Sequence, residues 1–380
     1  MTTGSSGPAL TTRHASLADL AALLRDQQAR KLEVVVPATT LRSVGARLVI
    51  DGTDPQLTAD GVTMTTGTYS PTEVCDDGLA GKLGIPAGYL RRLRVEHPAL
   101  YDANVNGWLA RTGKSYLVRC LRGDRGGSVA RAFLSSGYKI IDNLDVLLAA
   151  LDGLRRAGVP AEIDGCDLTP RRMYVRVVSP AVRALAPQLL ARYRSPFTGQ
   201  SGAANPVIHA GWVLSNSETG CGAFTITPRI VVQVCKNGMT VTKDALRAVH
   251  LGGRLDDGVI RWSSDTQQRN LDLITSQARD AVATFLDTAY VEKKIAELSE
   301  TAAEPVEDPQ QAIEIVSQRL KFTGEQQKTI LNFTERPWRA CHVRGAVSRR
   351  VRSVLYRSCR FGVPSRVCPR GWHARRADSR

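Results

Sequence analysis

Gly211–Met239 reads GWVLSNSETGCGAFTITPRIVVQVCKNGM, and how this stretch folds decides how the rest of the chain is arranged. GWVL and AFTI have the composition of strands. Between them, Ser215–Gly222 (SNSETGCG) supplies Asn, Ser, Thr and Gly, which accept turn conformations and bond to their own backbone. The expectation is a β-hairpin. A turn needing only geometry does not require Asn216, Ser217 and Glu218 together. If the strands pair, Lys236 and Asn237 of CKNGM come near. Asn216, Ser217, Glu218 and Asn237 are therefore a candidate ligand-facing loop, with Lys236 a candidate cationic contact.

Upstream of the hairpin, AEIDGCDL and RRMYVRVVS read as two more strands. Asp142-Asn143-Leu144-Asp145 reads as the cap of the helix NLDVLLAALDGLRRAG, which stops at Gly158. SYLVRCLRG and SVARAFLSSGYKII precede it as strands. Ser16 and Asp19 form a capping box for a helix over 17–30, and LEVVVPATTLRSVGARLVI reads as strands broken at Pro37 and Gly45. Ser70-Pro71-Thr72-Glu73 reads as an N-cap, a first-position proline and a third-position carboxylate. Downstream, 266–300 lacks Pro and Gly and spaces Leu271, Ile274, Ala278, Val282 and Phe285 as one helix or two. The fold class expected is α+β, with a mixed or antiparallel sheet core, a helix-turn-helix-like hairpin and a C-terminal helical segment. The expected divisions are 1–60, 61–262, 263–336 and 337–380.

The helix-turn-helix reading comes from EVCDDGLAGKLGIPAGYLRRLR at 73–94. Ala80, four residues before Gly84, permits close helix approach, and Gly84 suits the left-handed turn. Leu79, Leu83, Ile85, Leu90 and Leu93 supply the packed face. A second helix from Pro86 would then present Arg91, Arg92 and Arg94 to a groove or to phosphates. The plain alternative is a helical hairpin packed on a sheet, with solvated arginines.

Charge is unevenly placed. The chain carries a formal +15, but Pro337–Arg380 holds 12 Arg, no Lys and one acid, Asp378, a net of +11, which leaves +4 for residues 1–336. The basic signal is mostly tail. That segment is also rich in Ser, Cys, Gly and Trp, as an out-of-frame reading of a GC-rich gene would be. A frameshift near Pro337 is therefore expected, against the alternative of an arginine-rich arm that orders on nucleic acid. In either case the tail is expected to be disordered when free. No apolar run reaches the roughly 18 residues of a membrane span, and the start MTTGSSGPALTTRH has no signal-peptide pattern, so a cytoplasmic location and no membrane partner are expected.

Catalytic signals are sparse. Five cysteines of the body (Cys75, Cys120, Cys166, Cys221, Cys235) are scattered with no CxxC pair. His209, Cys221, Cys235 and His250 could form a ligand set only across long irregular spacings, so no metal site is assigned. Asp142, Asp145 and Glu218 are the weak catalytic candidates. Together they could hold magnesium for phosphodiester chemistry, and Mg is the one cofactor that enters, under that alternative alone. Helix capping, with a favourable dipole charge, is the simpler reading of the two aspartates and is preferred.

Three segments, LAGKLGIPAGYLRRL (79–93), RAFLSSGYKIIDNLDVLLAAL (131–151) and GWVLSNSETGCGAF (211–224) with VCKNGM (234–239), stand in the order found in a family that this chain resembles. It is the DUF932 group of phage- and plasmid-borne proteins of unknown function, and the resemblance spans about residues 60–335. The family has no established catalytic residues to carry over. The resemblance implies a mobile genetic element and a role near DNA replication, recombination or defence. The expected function is a nucleic-acid-binding accessory protein, with DNA rather than RNA as partner and Arg91, Arg92, Arg94 and Lys236 as contacts. The alternatives are a metal-dependent enzyme acting on nucleotides or nucleic acid, and an oligomerising structural protein assembled through the 266–300 helix.

Overall fold

The computed structural model describes residues 7–51, 56–58, 61–63, 66–124, 127–191, 199–233, 237–240, 244–248, 264–303, 309–320 and 323–324. Lys236, Cys235, His250 and the tail 337–380 lie outside them. The chain forms two compact units, Met1–Lys294 and Ile295–Arg380.

The first half of the larger unit builds a mixed sheet. After β1 (Thr12–Ala15), helix α1 (Leu17–Arg30) begins where the Asp19 N–H donates to Ser16 Oγ at 3.1 Å, as its capping box requires. Then come β2 (Lys31–Pro37), β3 (Leu41–Val44) and β4 (Arg47–Ile50), broken at Pro37 and at the Gly45–Ala46 turn, where both residues have positive φ. A small hairpin, β5 (Gln56–Thr58) with β6 (Gly61–Thr63), precedes β7 (Gly67–Pro71). Three helices follow, α2 (Glu73–Leu83), α3 (Ala87–Glu96) and α4 (Pro98–Leu109), and then β8 (Ser115–Leu121) and β9 (Val129–Ser135). The strand order is β2-β8-β9-β7-β4-β3, antiparallel except for the parallel β7–β9 pair.

Pro71 is not the first residue of α2. Ser70 and Pro71 extend β7 opposite Val129 and Ala130, and Thr72 caps the helix instead, its hydroxyl accepting from the Cys75 N–H. At the other end Gly84 adopts φ +71° and closes α2, so the expected helix–turn–helix geometry forms. Leu32, Val34 and Val36 of β2 and Tyr116, Val118 and Cys120 of β8 alternate onto one face. There they pack against Leu79, Leu83, Leu90, Leu93, Tyr101 and Val105 of the three helices. Gly78 lets α2 touch the sheet, since a Cβ there would meet the Phe133 carbonyl oxygen at 2.4 Å.

The second half builds an antiparallel sheet. Its elements are α5 (Asn143–Ala157), β10 (Glu162–Leu168), β11 (Met173–Leu185), α6 (Pro187–Leu190), β12 (Val207–Asn216), β13 (Phe224–Val232), β14 (Asn237–Thr240), β15 (Leu246–Ala248) and α7 (Ser264–Phe285). The strand order is β1-β10-β11-β12-β13-β14, with β15 also on β13. The hairpin at 211–239 therefore forms as expected, Ser215 opposite Thr225. Pro228, with no N–H to donate, falls between the stretches of β13 that pair with β15 and β14. One face carries Cys166, Val175, Val177, Trp212, Leu214, Phe224 and Ile226, all buried under α1, α5 and α7.

Helix α8 (Thr288–Ala303) follows a break at Leu286–Asp287, so the 266–300 stretch is two helices. The apolar stripe of α7, with Ile274, Ala278 and Val282 buried, lies against α5 in the same chain. That stripe is thus taken up within the chain. Likewise β2 pairs with β8 and α7 packs on α5, so the divisions expected after residues 60 and 262 fall inside the larger unit. Of the smaller unit, the described part includes the end of α8 and α9 (Pro309–Leu320). Among the described residues no helix is long and apolar enough to cross a membrane.

Candidate functional site

The loop Asn216–Thr219 is buried, and of its four residues Glu218 and Thr219 line a cleft. It inserts against the face of the mixed sheet that the three helices leave uncovered. Glu33 of β2 and Arg119 of β8 sit directly opposite each other on that face and form an ion pair. Arg119, fully buried, also donates to Asp142 Oδ1 at 2.6 Å and to the Glu218 carbonyl at 2.6 Å. Lys31 Nζ donates to Asp142 Oδ2 at 2.5 Å. Burial disfavours charge on Asp142, but Arg119 and Lys31 more than offset it and hold the carboxyl down at about 2. Burial likewise opposes charge on Arg119, and Glu33, Asp142 and Glu218 overcome it, so its affinity for the proton rises above the usual guanidinium value.

Asp142 occupies the N-cap position of α5, yet its side chain makes no capping bond. Its oxygens are committed to Arg119 and Lys31. The loop supplies the cap from outside: Glu218 Oε1 accepts from the Asn143 N–H at 2.5 Å. Asn216 Nδ2 donates to the Ile141 carbonyl at 2.9 Å and to Asn143 Oδ1 at 3.0 Å, and Tyr138 donates its hydroxyl proton to the Ser217 carbonyl. The Ser217 hydroxyl accepts from the Cys221 N–H at 2.9 Å. Asn216 and Ser217 thus close the loop on itself and on α5.

Glu218 faces a cleft. Its other oxygen accepts from Arg131 Nη1 at 2.6 Å. Register slips between Arg119 and Cys120, which face Ala132 and Ala130 respectively, so Arg131 is the extra residue of a β-bulge. A bulge re-aims a side chain that would otherwise alternate across the sheet. Here it brings Arg131 to a small, partly enclosed cleft. Arg131, Arg171, Arg172, Glu218, Asn143 and Thr219 are among its lining residues. Arg171 and Arg172 come from the β10–β11 turn, held because Thr169 Oγ1 accepts the backbone N–H groups of both.

The cleft carries surplus positive charge. Arg171 and Arg91 share the single carboxylate Asp77, and Arg131 pairs with Glu218. Arg172 donates to the Cys221 carbonyl from Nε at 3.1 Å and from Nη2 at 2.8 Å, with a longer contact from Nη1 to Ser215 Oγ. Among the described residues no carboxylate pairs with it. Four arginines against two carboxylates leave a local excess of +2. Gly222 makes room for this arrangement, since a Cβ there would fall 1.5 Å from Arg172 Nη2.

The sequence-derived candidates redistribute accordingly. Asp142, Asp145 and Glu218 do converge on one end of α5, and burial, then the neighbouring Asp142, raises the Asp145 carboxyl. The oxygens of Asp142 and Glu218, however, are taken by guanidinium, ammonium and backbone donors, and among the described residues no group of three His, Cys, Asp or Glu side chains could hold a metal ion. Arg91 and Arg94 are turned inward. Arg91 pairs with Asp77, while Arg94 reaches buried Asp76 at 2.8 Å and the Pro71 carbonyl at 2.5 Å. Only Arg92 of the three is solvent-facing, and it pairs with Glu96 on its own helix. The helix–turn–helix geometry is present without the outward arginine face expected of it. Asn237 begins β14.

Arg119, Arg131 and Arg172 are the residues that reading by motif missed. A lone arginine inside SYLVRCL and inside VARAFL was the available signal, because a strand buried on both faces accepts a cation only with a partner. No family model, curated protein or solved structure matches the chain.

Proposed function

We propose that the chain is a nucleic-acid-binding accessory protein of a phage, prophage or plasmid, gripping phosphate at the Arg131–Arg171–Arg172 cleft and not along α3. The mobile-element setting, and DNA as the partner in preference to RNA, rest on the resemblance to the DUF932 group. The cleft carries the reading of the contact: Arg172 is a guanidinium without a carboxylate partner among the described residues, beside arginines that outnumber their acids. Arginine forks match phosphate oxygens in pairs and hydrogen-bond more strongly for being charged. The enzyme alternative gains no support from the carboxylates, whose acceptor positions are filled from within the protein.

The test is a binding titration on the chain ended at Arg336, which removes the tail's +11. Single- and double-stranded DNA are titrated at several salt concentrations. Binding that weakens with salt is the expected result, since released counterions drive phosphate contacts. Absence of binding to either form at low salt would count decisively against the reading.

A further inference from the structure

The geometry points to a more specific ligand: we infer that the cleft binds a phosphomonoester, the terminal phosphate of a nucleic-acid strand or a free phosphate of the same chemistry. This rests on the reading of the cleft as the phosphate contact. Three observations narrow it. The cleft is partly enclosed, with Leu10, Leu168 and Pro170 among its walls, so it admits one oxyanion more readily than a strand passing through. Its local excess of +2 matches a monoester, which carries about −1.5 to −2 at neutral pH, better than the single charge of a backbone diester. Donors remain to be used. A guanidinium has five N–H donors; Arg172 spends two on one carbonyl at close range, and Arg131 spends Nη1 on Glu218. The Arg131 side chain is only 9% exposed and is held by the bulge, so its remaining donors are fixed in place before a ligand arrives.

The test uses the full chain and its Arg172→Gln and Arg172→Lys variants, which all carry the same tail, so that differences report the cleft. Inorganic phosphate is titrated at constant ionic strength. One oligonucleotide is then compared in three forms, with a 5′-phosphate, with a 3′-phosphate, and with hydroxyls at both ends. The expected result is that at least one phosphate-ended form binds about tenfold tighter than the hydroxyl form, the size of one charge-assisted bond. Arg172→Gln should abolish that difference and weaken inorganic phosphate, and Arg172→Lys should fall between. Equal binding of all three forms, with inorganic phosphate indifferent to Arg172, overturns the inference. Arg172-dependent binding that ignores the end also overturns it, while the nucleic-acid reading survives. Arg172-dependent binding of inorganic phosphate alone supports a site for small phosphates and removes the nucleic-acid reading. Circular dichroism checks that each variant is folded; should Arg172→Gln unfold, Arg172→Lys and Arg171→Gln carry the same comparison.

Discussion

Replacing Arg119 by Met would remove the cation on which the two halves of the larger unit converge. Three interactions go at once: the ion pair with Glu33, the 2.6 Å bond to Asp142 and the 2.6 Å bond to the Glu218 carbonyl. Asp142 keeps Lys31, but Glu33 loses its guanidinium on a face where Arg119 was fully buried. Removing one partner of a buried pair costs about 3–5 kcal/mol, because the other charge is left without compensation. An exposed pair contributes only about 0–1 kcal/mol. At roughly 2–4 °C per kcal/mol for domains approaching this size, the melting temperature should fall on the order of 10 °C. Arg42→Met, which breaks the exposed pair with Asp51, is the control. Thermal unfolding followed by circular dichroism reads both. Adding Glu33→Gln to Arg119→Met should recover part of the loss, since the second change removes the carboxylate left without its guanidinium. If Arg119→Met and Arg42→Met melt within about 2 °C of each other, less than about 1 kcal/mol separates them and the central role given to the buried network is refuted.

Other consequences are independent of that variant. Gly153→Ala should destabilise by about 1–3 kcal/mol through overpacking, because its Cβ would lie 2.9 Å from Arg279 Cα across the α5–α7 contact; denaturant unfolding measures it, and a wild-type midpoint would contradict the packing. Asp142, held at about 2 in the folded state against 3.8 ordinarily, contributes stability that is present above pH 4 and lost as pH falls towards 2. Asp76 behaves oppositely: burial lifts it to about 6 despite Arg94 and the Tyr101 hydroxyl, so its contribution is present below pH 4 and falls as pH rises from about 4 to about 6. Carboxyl ¹³C titration by NMR should find the two aspartates displaced in these opposite senses, and displacement of both in one direction would contradict the assignment.

Local rules carried much of the architecture. Ser16 capped α1 where its spacing with Asp19 implied, Gly84 took the left-handed turn, and Gly211–Met239 formed the expected hairpin. Where local rules failed, a distant partner had intervened. Pro71 belongs to a strand because β9 pairs with it, and Asp142 caps nothing because Lys31 and Arg119 hold its oxygens. The site was half legible. Asp142, Asp145 and Glu218 were brought together, but the arginines that decide their chemistry lie 23 residues before Asp142 for Arg119 and 87 before Glu218 for Arg131. Such pairs are invisible to spacing. The bulge at Arg131 is a register event between two strands, and no property of VARAFLS alone requires it.

The most direct test sets the cleft against the helix. DNA binding of the chain ended at Arg336 is compared for Arg172→Gln and for Arg92→Gln, the outward arginine of α3. The account predicts that Arg172→Gln weakens binding and lowers the salt slope by about 1, the mark of one lost phosphate contact, while Arg92→Gln leaves both unchanged. Weaker binding on loss of Arg92, with Arg172 dispensable, would return the contact to the recognition helix and contradict the account.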